Sequence, residues 1–563
     1  MDSRRLILFF VFSFSVFLLL DAWQRDQQPA GAPTEKGSTT KEQGNNTKQA
    51  PQATPTPIPG EKLVATQGPS PAPSLPTGAS ALVKGDTIKV ETDFLRAEIS
   101  AAGGDLRRLE FKQHRDVEDK KKDFVLFDSR PDHVYVAQSG LIGTGLPTHR
   151  SEFKVRPGEY RLADGAADLA VTLDAVDSSG AKVTKSYRFH RSSYVIDVTY
   201  DITNPGTAAI QPFAYFQLLR DGKPPVGDSA MLPTYTGAAV YTEKDKFQKV
   251  AFSDMEKNKT PYQKNSDDGW VAMLQHYFFS AWLPKNGSPR EFFTRHLDGG
   301  LYAAGVIIPV GTIAPGQSVS LSVPLYAGPQ EQDKIAKLAP GLDLTIDYGW
   351  LTVVAVPLFW VLSWFYQWVG NWGVAIILLT VLIKLLFYPL SQASYRSMGK
   401  MRVLAPKMQK LKEQYGNDRQ RLQQAMMEMY KTEKINPLGG CLPIVVQIPV
   451  FIALYWAILA SVELRHAPFM LWIQDLSSPD PWYVLPVLMG ATMLIQTKLN
   501  PEPPDPIQAK IMKIMPVAFS VFFFFFPAGL VLYWLVNNVL SIMQQWHINR
   551  GLEQAKAKAP HKT

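Results

Sequence analysis

Lys384 is a lone cation inside one of the most apolar stretches of the chain, WGVAIILLTVLIKLLFYPL. If a helix enters a membrane at Asn371, its ammonium stands about 20 Å along the rise, roughly two-thirds of the way through a hydrocarbon core. A charge at that depth costs several kcal/mol unless water or a partner reaches it. Thr380, Tyr388 and Ser391 fall at i−4, i+4 and i+7, so the spacing predicts a polar stripe along one helical face. A stripe of that kind favours a wet cavity open from one side. The alternative is a lysine that snorkels to the nearer headgroups.

Polar residues recur in the other apolar runs. Tyr533, Asn537, Ser541 and Gln544 are spaced i, i+4, i+8 and i+11, again one face, and Gln447 lies between Pro443 and Pro449. Thr492 and Gln496 form a further i, i+4 pair. In lipid such groups turn inward, either bonding helix to helix or pooling with Lys384 into one hydrophilic groove. No Gly-rich phosphate loop, metal-ligand spacing or Ser/His pair accompanies them. The expectation is a non-enzymatic membrane device without cofactor or metal.

These residues need a membrane core to hold them, and the 563-residue chain divides accordingly. Residues 1–23 carry Arg4 and Arg5 before an apolar run, a membrane anchor with its N-terminus in the cytoplasm, or else a cleaved signal peptide; Leu20 before Ala22 fits cleavage poorly. Residues 24–84, rich in Pro, Gln, Thr, Ser and Gly, have too little apolar matter for a core and read as a disordered tether. Residues 85–340 turn to strand patterns. YVIDVTYDIT alternates strictly, LAVTLDAV and AKVTKSYRFH flank a turn, and a short helix is expected at EQDKIAKLAP. The fold class expected is a polytopic α-helical membrane core with an antiparallel β-sandwich outside it.

Residues 341–370 hold a run of Trp, Phe and Tyr interrupted by Pro357, which suits a helix lying at the headgroups. A crossing there would put Ser391–Lys434, with ten Lys/Arg against four acids, on the side of the β domain, against the positive-inside rule. The spans expected are 6–22, 371–390, 436–462, 482–499, 511–526 and 530–548, six crossings with both termini in the cytoplasm; 371–548 is a five-span core and 549–563 a basic tail. The net charge of +8 is assigned to cytoplasmic loops, not to a specific nucleic acid. The single Cys441 leaves no intrachain disulfide and reads as a packing residue.

Within 391–434, Met401, Leu404, Met408, Leu411 and Tyr415 form an apolar seam at spacings of three and four. Gly416-Asn417-Asp418 reads as a turn with helix-cap residues, and Leu422, Met426 and Met429 start a second seam beyond it. An antiparallel helical hairpin follows, kinked at Pro406. Its methionines either hold the hairpin together or offer an adaptable docking surface to apolar clients.

The segments GWVAMLQHYFFSAWLP, YAGPQEQ, NWGVAIILLT, YPLSQASYRSMGKM, KINPLGGCLPIVVQIPVF, SVELRHAPF, DPWYVLPVLMG and FPAGLVLYWLVNN, in this order, resemble the YidC membrane protein insertases of bacterial inner membranes. The likeness covers nearly the whole chain apart from the tether. It implies a five-helix core around a positively charged, water-filled groove, open to lipid and cytoplasm and closed toward the periplasm. The groove cation of many relatives is an arginine. Lys384 at the matching position keeps the charge without the planar fork. Thr380 and Gln447 match groove residues, and a tyrosine pair of relatives reads Tyr533-Trp534. With Asn537 and Ser541 these make the candidate client-binding set. The resemblance further implies a β-supersandwich related to sugar mutarotases, and as partners nascent membrane-protein clients, the ribosome, the Sec translocon with its accessory subunits, and the phospholipid bilayer. A secondary transporter would need a midplane site and repeated halves, which the sequence does not display. A membrane-anchored sugar enzyme rests on fold analogy alone.

Overall fold

The computed structural model describes residues 82, 85–156, 158–175, 181–226, 234–416, 418–433, 442–500 and 506–557. The expected anchor, the tether apart from Leu82, Cys441 and the end of the basic tail lie outside them.

The β domain is built from two nine-stranded antiparallel sheets. One orders β1 (Thr87–Glu91), β2 (Leu95–Ser100), β3 (Asp105–Arg115), β4 (Asp123–Arg130), β5 (His133–Ile142), β10 (Phe213–Asp221), β17 (Leu301–Pro309), β16 (Arg290–Leu297) and β13 (Asn265–Ser266). The other orders β12 (Lys246–Val250), β11 (Gly237–Thr242), β14 (Trp270–Leu274), β15 (Phe278–Trp282), β18 (Ser318–Pro329), β9 (Val195–Thr203), β8 (Lys182–His190), β7 (Asp168–Ala175) and β6 (Phe153–Val155). On β9 the alternation is realised as read: Ile196, Val198, Tyr200 and Ile202 are fully buried between the sheets. The stretch GWVAMLQHYFFSAWL is two strands, β14 and β15, turned at His276-Tyr277. Every residue of both is buried, so no alternation announces the break.

A polar pair sits in the middle of this core. Asp105 and Lys185 have no solvent exposure. Lys185 Nζ donates to Gly103 O at 3.2 Å and lies 5.4–5.8 Å from the ring centres of Phe153, Tyr187 and Tyr200. Asp105 Oδ2 accepts from Gln138 Nε2 at 2.9 Å. Burial pushes the Asp105 carboxyl up and the Lys185 ammonium down, each opposed by the other's charge.

Short helices α1 (Phe252–Glu256) and α2 (Gln332–Ile335) belong to the β domain, the second at the expected EQDKIAKLAP. The helical region follows with α3 (Thr352–Val369), α4 (Trp372–Leu386), α5 (Tyr388–Tyr415), α6 (Arg419–Thr432), α7 (Leu442–Ala460), α8 (Val484–Leu499), α9 (Pro506–Phe522) and α10 (Ala528–Ala557). α10 is central, packing on α4, α5, α7 and α8, while α3 lies against α4 and α7.

The expected span 371–390 is not one continuous helix: it bends at Phe387, where α4 and α5 meet at 66°. Pro389 lies in the first turn of α5 and has no N–H to bond back into α4, and it disfavours helical geometry at the residue before it. The polar stripe is corrected with it. Thr380 and Lys384 share α4, but Tyr388 and Ser391 stand beyond the bend, so a 3.6-residue period counted through Phe387 does not describe one face. α5 runs through Pro406 as a single element.

Among the described residues, α3 is the one helix that alone is long and apolar enough to cross a membrane; α4 with the first half of α5 qualifies as a bent pair, and α7 and α8 contribute shorter apolar segments. α3 buries Ala355, Phe359 and Leu362 on one face and exposes Trp360, Trp364 and Trp368 on another. α9 stops at Phe522 and passes into a 3-10 turn, Phe523–Phe525; α10 carries on through 530–548 to Ala557, into the expected tail.

Candidate functional site

Asn371 begins α4 as its N-cap. Its Oδ1 accepts from Val374 N at 3.0 Å and its Nδ2 donates to Phe469 O at 2.9 Å, so the helix starts pinned to the loop between α7 and α8. Gly373 lies so close to that loop that a Cβ would come within 2.0 Å of the Phe469 ring. Three turns on, Lys384 reaches α10: its Nζ donates to Ser541 Oγ at 2.7 Å, and the Ser541 hydroxyl donates to Asn537 O at 2.7 Å. No carboxylate pairs with Lys384 among the described residues. Asn537 is buried beside Ser541, and its Oδ1 has no hydrogen-bond partner there. The structure thus brings Lys384, Ser541 and Asn537 together, with an ammonium and an open acceptor still to be satisfied.

A second cluster lies about 12 Å along α10, eight residues from Ser541. Tyr533 is fully buried, and its hydroxyl accepts a short hydrogen bond from Gln447 Nε2 of α7. Trp534 is half-buried edge-on to Phe451 at 4.5 Å, and its buried indole N–H has no hydrogen-bond partner among the described residues. Thr380 does not join either cluster: it is fully buried, and its hydroxyl donates to Ile376 O of its own helix at 2.6 Å.

Three polar contacts were not foreseen from spacing. Asn538 donates to Thr492 Oγ1 at 3.4 Å, and Gln545 donates to Leu499 O at 3.2 Å and Asn500 Oδ1 at 3.1 Å, fastening α10 to α8. The signal was present in the doublets Asn537-Asn538 and Gln544-Gln545. Neighbouring residues stand about 100° apart on a helix, so each doublet serves two faces. The loop between α7 and α8 holds a further polar cluster. In it Asp475 accepts from His466 Nδ1 at 3.0 Å, Ser477 Oγ at 2.7 Å and Ser478 Oγ at 2.9 Å. Burial opposes ionisation of Asp475, but these hydrogen bonds outweigh it and hold the carboxyl well below its ordinary range.

In the hairpin, Asp418 caps α6 through Gln420 N and Arg421 N, as its position foretold. Leu404 is buried, and Met401, Met408, Leu411, Leu422, Met426 and Met429 are half-buried, the state a packing seam between α5 and α6 requires. Tyr430 Oη meets Met408 Sδ at 3.7 Å and Lys407 pairs with Glu433 at 2.7 Å across that seam. The exposed methionine is Met427, outside the predicted set.

Residues 87–361 match the family described as YidC periplasmic domain, and residues 364–556 the family described as 60Kd inner membrane protein. The membrane protein insertase YidC of Nitrosospira multiformis is 57% identical over 99% of this chain and 98% of its own length. That of Methylobacillus flagellatus is 58% identical over 99% of both. A crystal structure of an active YidC insertase aligns over 82% of this chain and 93% of its own, at 19% identity and a TM-score of 0.40.

Proposed function

The chain belongs to the YidC family of membrane protein insertases, and from that membership we propose how its own residues insert clients into a bacterial inner membrane. Six crossings place both termini in the cytoplasm and the β domain in the periplasm, with α3 along the outer headgroups. The six are the N-terminal anchor, α4, α7, α8, α9 and α10. Clients arrive from the ribosome, alone or beside the Sec translocon, and dock first on the α5–α6 hairpin. There Met427 and whatever part of the methionine seam opens give an adaptable apolar surface.

The client's polar tail then enters between α4 and α10. The observation that carries this reading is an ammonium inside the helical bundle whose partner is a neutral hydroxyl, Ser541, with no carboxylate to neutralise it among the described residues. Lys384 is therefore left to attract a client's acidic tail, and the low dielectric strengthens that attraction. Asn537 Oδ1 offers an acceptor for the tail's backbone N–H. Gln447, Tyr533 and Trp534 line the path of the client's apolar segment toward lipid, and burial of that segment supplies the driving force, about 25 cal/mol per Å² of apolar surface. The residues do no covalent chemistry and call for no cofactor.

Ribosome-bound nascent chains with photoreactive groups placed at Lys384, Ser541 and Gln447 test the reading. The client's tail should give adducts at Lys384 and Ser541 and its apolar segment adducts at Gln447, with no tail adducts at exposed Leu382 or Val539. Tail adducts confined to the exposed positions would remove the groove from the mechanism.

A further inference from the structure

The end of α7 nearest the β domain is held by that domain. A helix leaves its last four carbonyls without intrahelical donors. In α7 the Ala457 carbonyl is taken by the Ser461 hydroxyl, and the Leu459 carbonyl by His276 Nε2 at 2.8 Å. A carbonyl only accepts, so Nε2 carries the proton. His276 occupies the tip of the β14–β15 hairpin, and that tip is braced from beneath. Buried Arg220 donates to Gln275 Oε1 at 2.7 Å, and Gln330 N donates to Tyr277 O at 2.9 Å.

Six residues beyond Leu459 a second grip is built. The Arg465 guanidinium lies 5.4 Å from the ring centre of Phe124 and 5.5 Å from that of Phe278, two rings stacked at 4.1 Å, and its Nη2 donates to Arg115 O at 2.6 Å. Strands β3, β4 and β15 thus close on one side chain of the loop that α7 enters.

α7 has reason to depend on outside support. Pro449 inside it removes one of its own hydrogen bonds, and Gln447 stands two residues before that break. We propose that His276 and Arg465 are positioning residues: through them the β domain fixes the attitude of α7 and so keeps Gln447 at Tyr533. The inference rests on the groove reading for its functional consequence, and on the junction's geometry for its structural one. Burial, with the Arg465 charge acting in the same direction against the Leu459 carbonyl, lowers His276 to about 4. The imidazole is therefore a neutral, constant donor near neutral pH.

The test uses the full chain in lipid nanodiscs and proteoliposomes, with Cys441→Ser and spin labels at Asp298→Cys of the β domain and Ile448→Cys of α7. His276→Leu combined with Arg465→Ala should broaden the distance distribution and slow client insertion several-fold. His276→Gln, which keeps an N–H donor at similar reach, should retain both parental values. A distribution as narrow as the parent's in the double variant overturns the inference. So does a broadened one with unimpaired insertion when Lys384→Glu in the same assay slows it. The label distances report on the junction whether or not Lys384 draws clients in, so failure of the groove reading is seen separately.

Discussion

Lys384 Nζ and Ser541 Oγ meet at 2.7 Å although 157 residues separate them in sequence. The bond ties α4 to α10 and leaves the ammonium two further N–H groups. A structural lysine would be expected to find a carboxylate; this one has a hydroxyl that is itself occupied by Asn537 O.

Reversing the charge should therefore matter more than changing its shape. Lys384→Glu is expected to slow insertion of acidic-tailed clients by about tenfold or more, whereas Lys384→Arg stays within about threefold of the parent; a tenfold change corresponds to 1.4 kcal/mol, less than a single buried charge contact. Insertion rates in proteoliposomes decide it. Equal, unimpaired rates for both variants would take Lys384 out of the mechanism.

The core pair of the β domain makes a second prediction. Asp105→Asn removes the charge that offsets a fully buried ammonium, and is expected to cost about 3 kcal/mol of stability. Lys185→Met removes the ammonium from its ring cage. The double variant should be less destabilised than the sum of the two, and additive losses in a denaturation cycle would show that the charges do not interact.

Glu463 supplies a pH dependence. Burial, with Glu331 and Asp333 adding to it, pushes its carboxyl up to about 7. A carboxyl raised in the folded state is protonated there while the unfolded chain has already ionised. The contribution of Glu463 to stability is thus level below about pH 4.5, falls as pH rises to about 7 and is level again above. Glu463→Gln should abolish that fall and raise the unfolding temperature at pH 8 relative to the parent. An identical pH profile for the two proteins would refute it.

Gly373 tests the close approach of α4 to the loop. Gly373→Ala drives a methyl into Phe469 and should cost about 1–3 kcal/mol, with the loop displaced. Adding Phe469→Ala should recover part of the loss. No recovery in thermal unfolding would place the strain elsewhere.

Local pattern carried a good deal of this protein. The alternation on β9, the antiparallel pairing of β7 with β8 and the Asp418 cap were legible because each depends on residues within one or two turns of chain. The face Tyr533-Asn537-Ser541 was legible for the same reason, since it lies on one uninterrupted helix. The stripe through Lys384 was not, because Pro389 ends that helix at Phe387 and periodicity carries no meaning across a 66° bend.

What sequence alone determined is which segments are apolar, which are strand and helix, and which polar groups must find partners inside. Those are consequences of side-chain chemistry and repeat, settled over a few residues. Tertiary structure alone decided the partners: that Lys384 turns to Ser541, that Gln447 takes Tyr533 while Thr380 turns back on its own helix, and that a histidine of the β domain caps α7. Each of these is a choice among several polar groups of similar need, and only the packing of distant elements, which fixes who comes within 3 Å of whom, makes it.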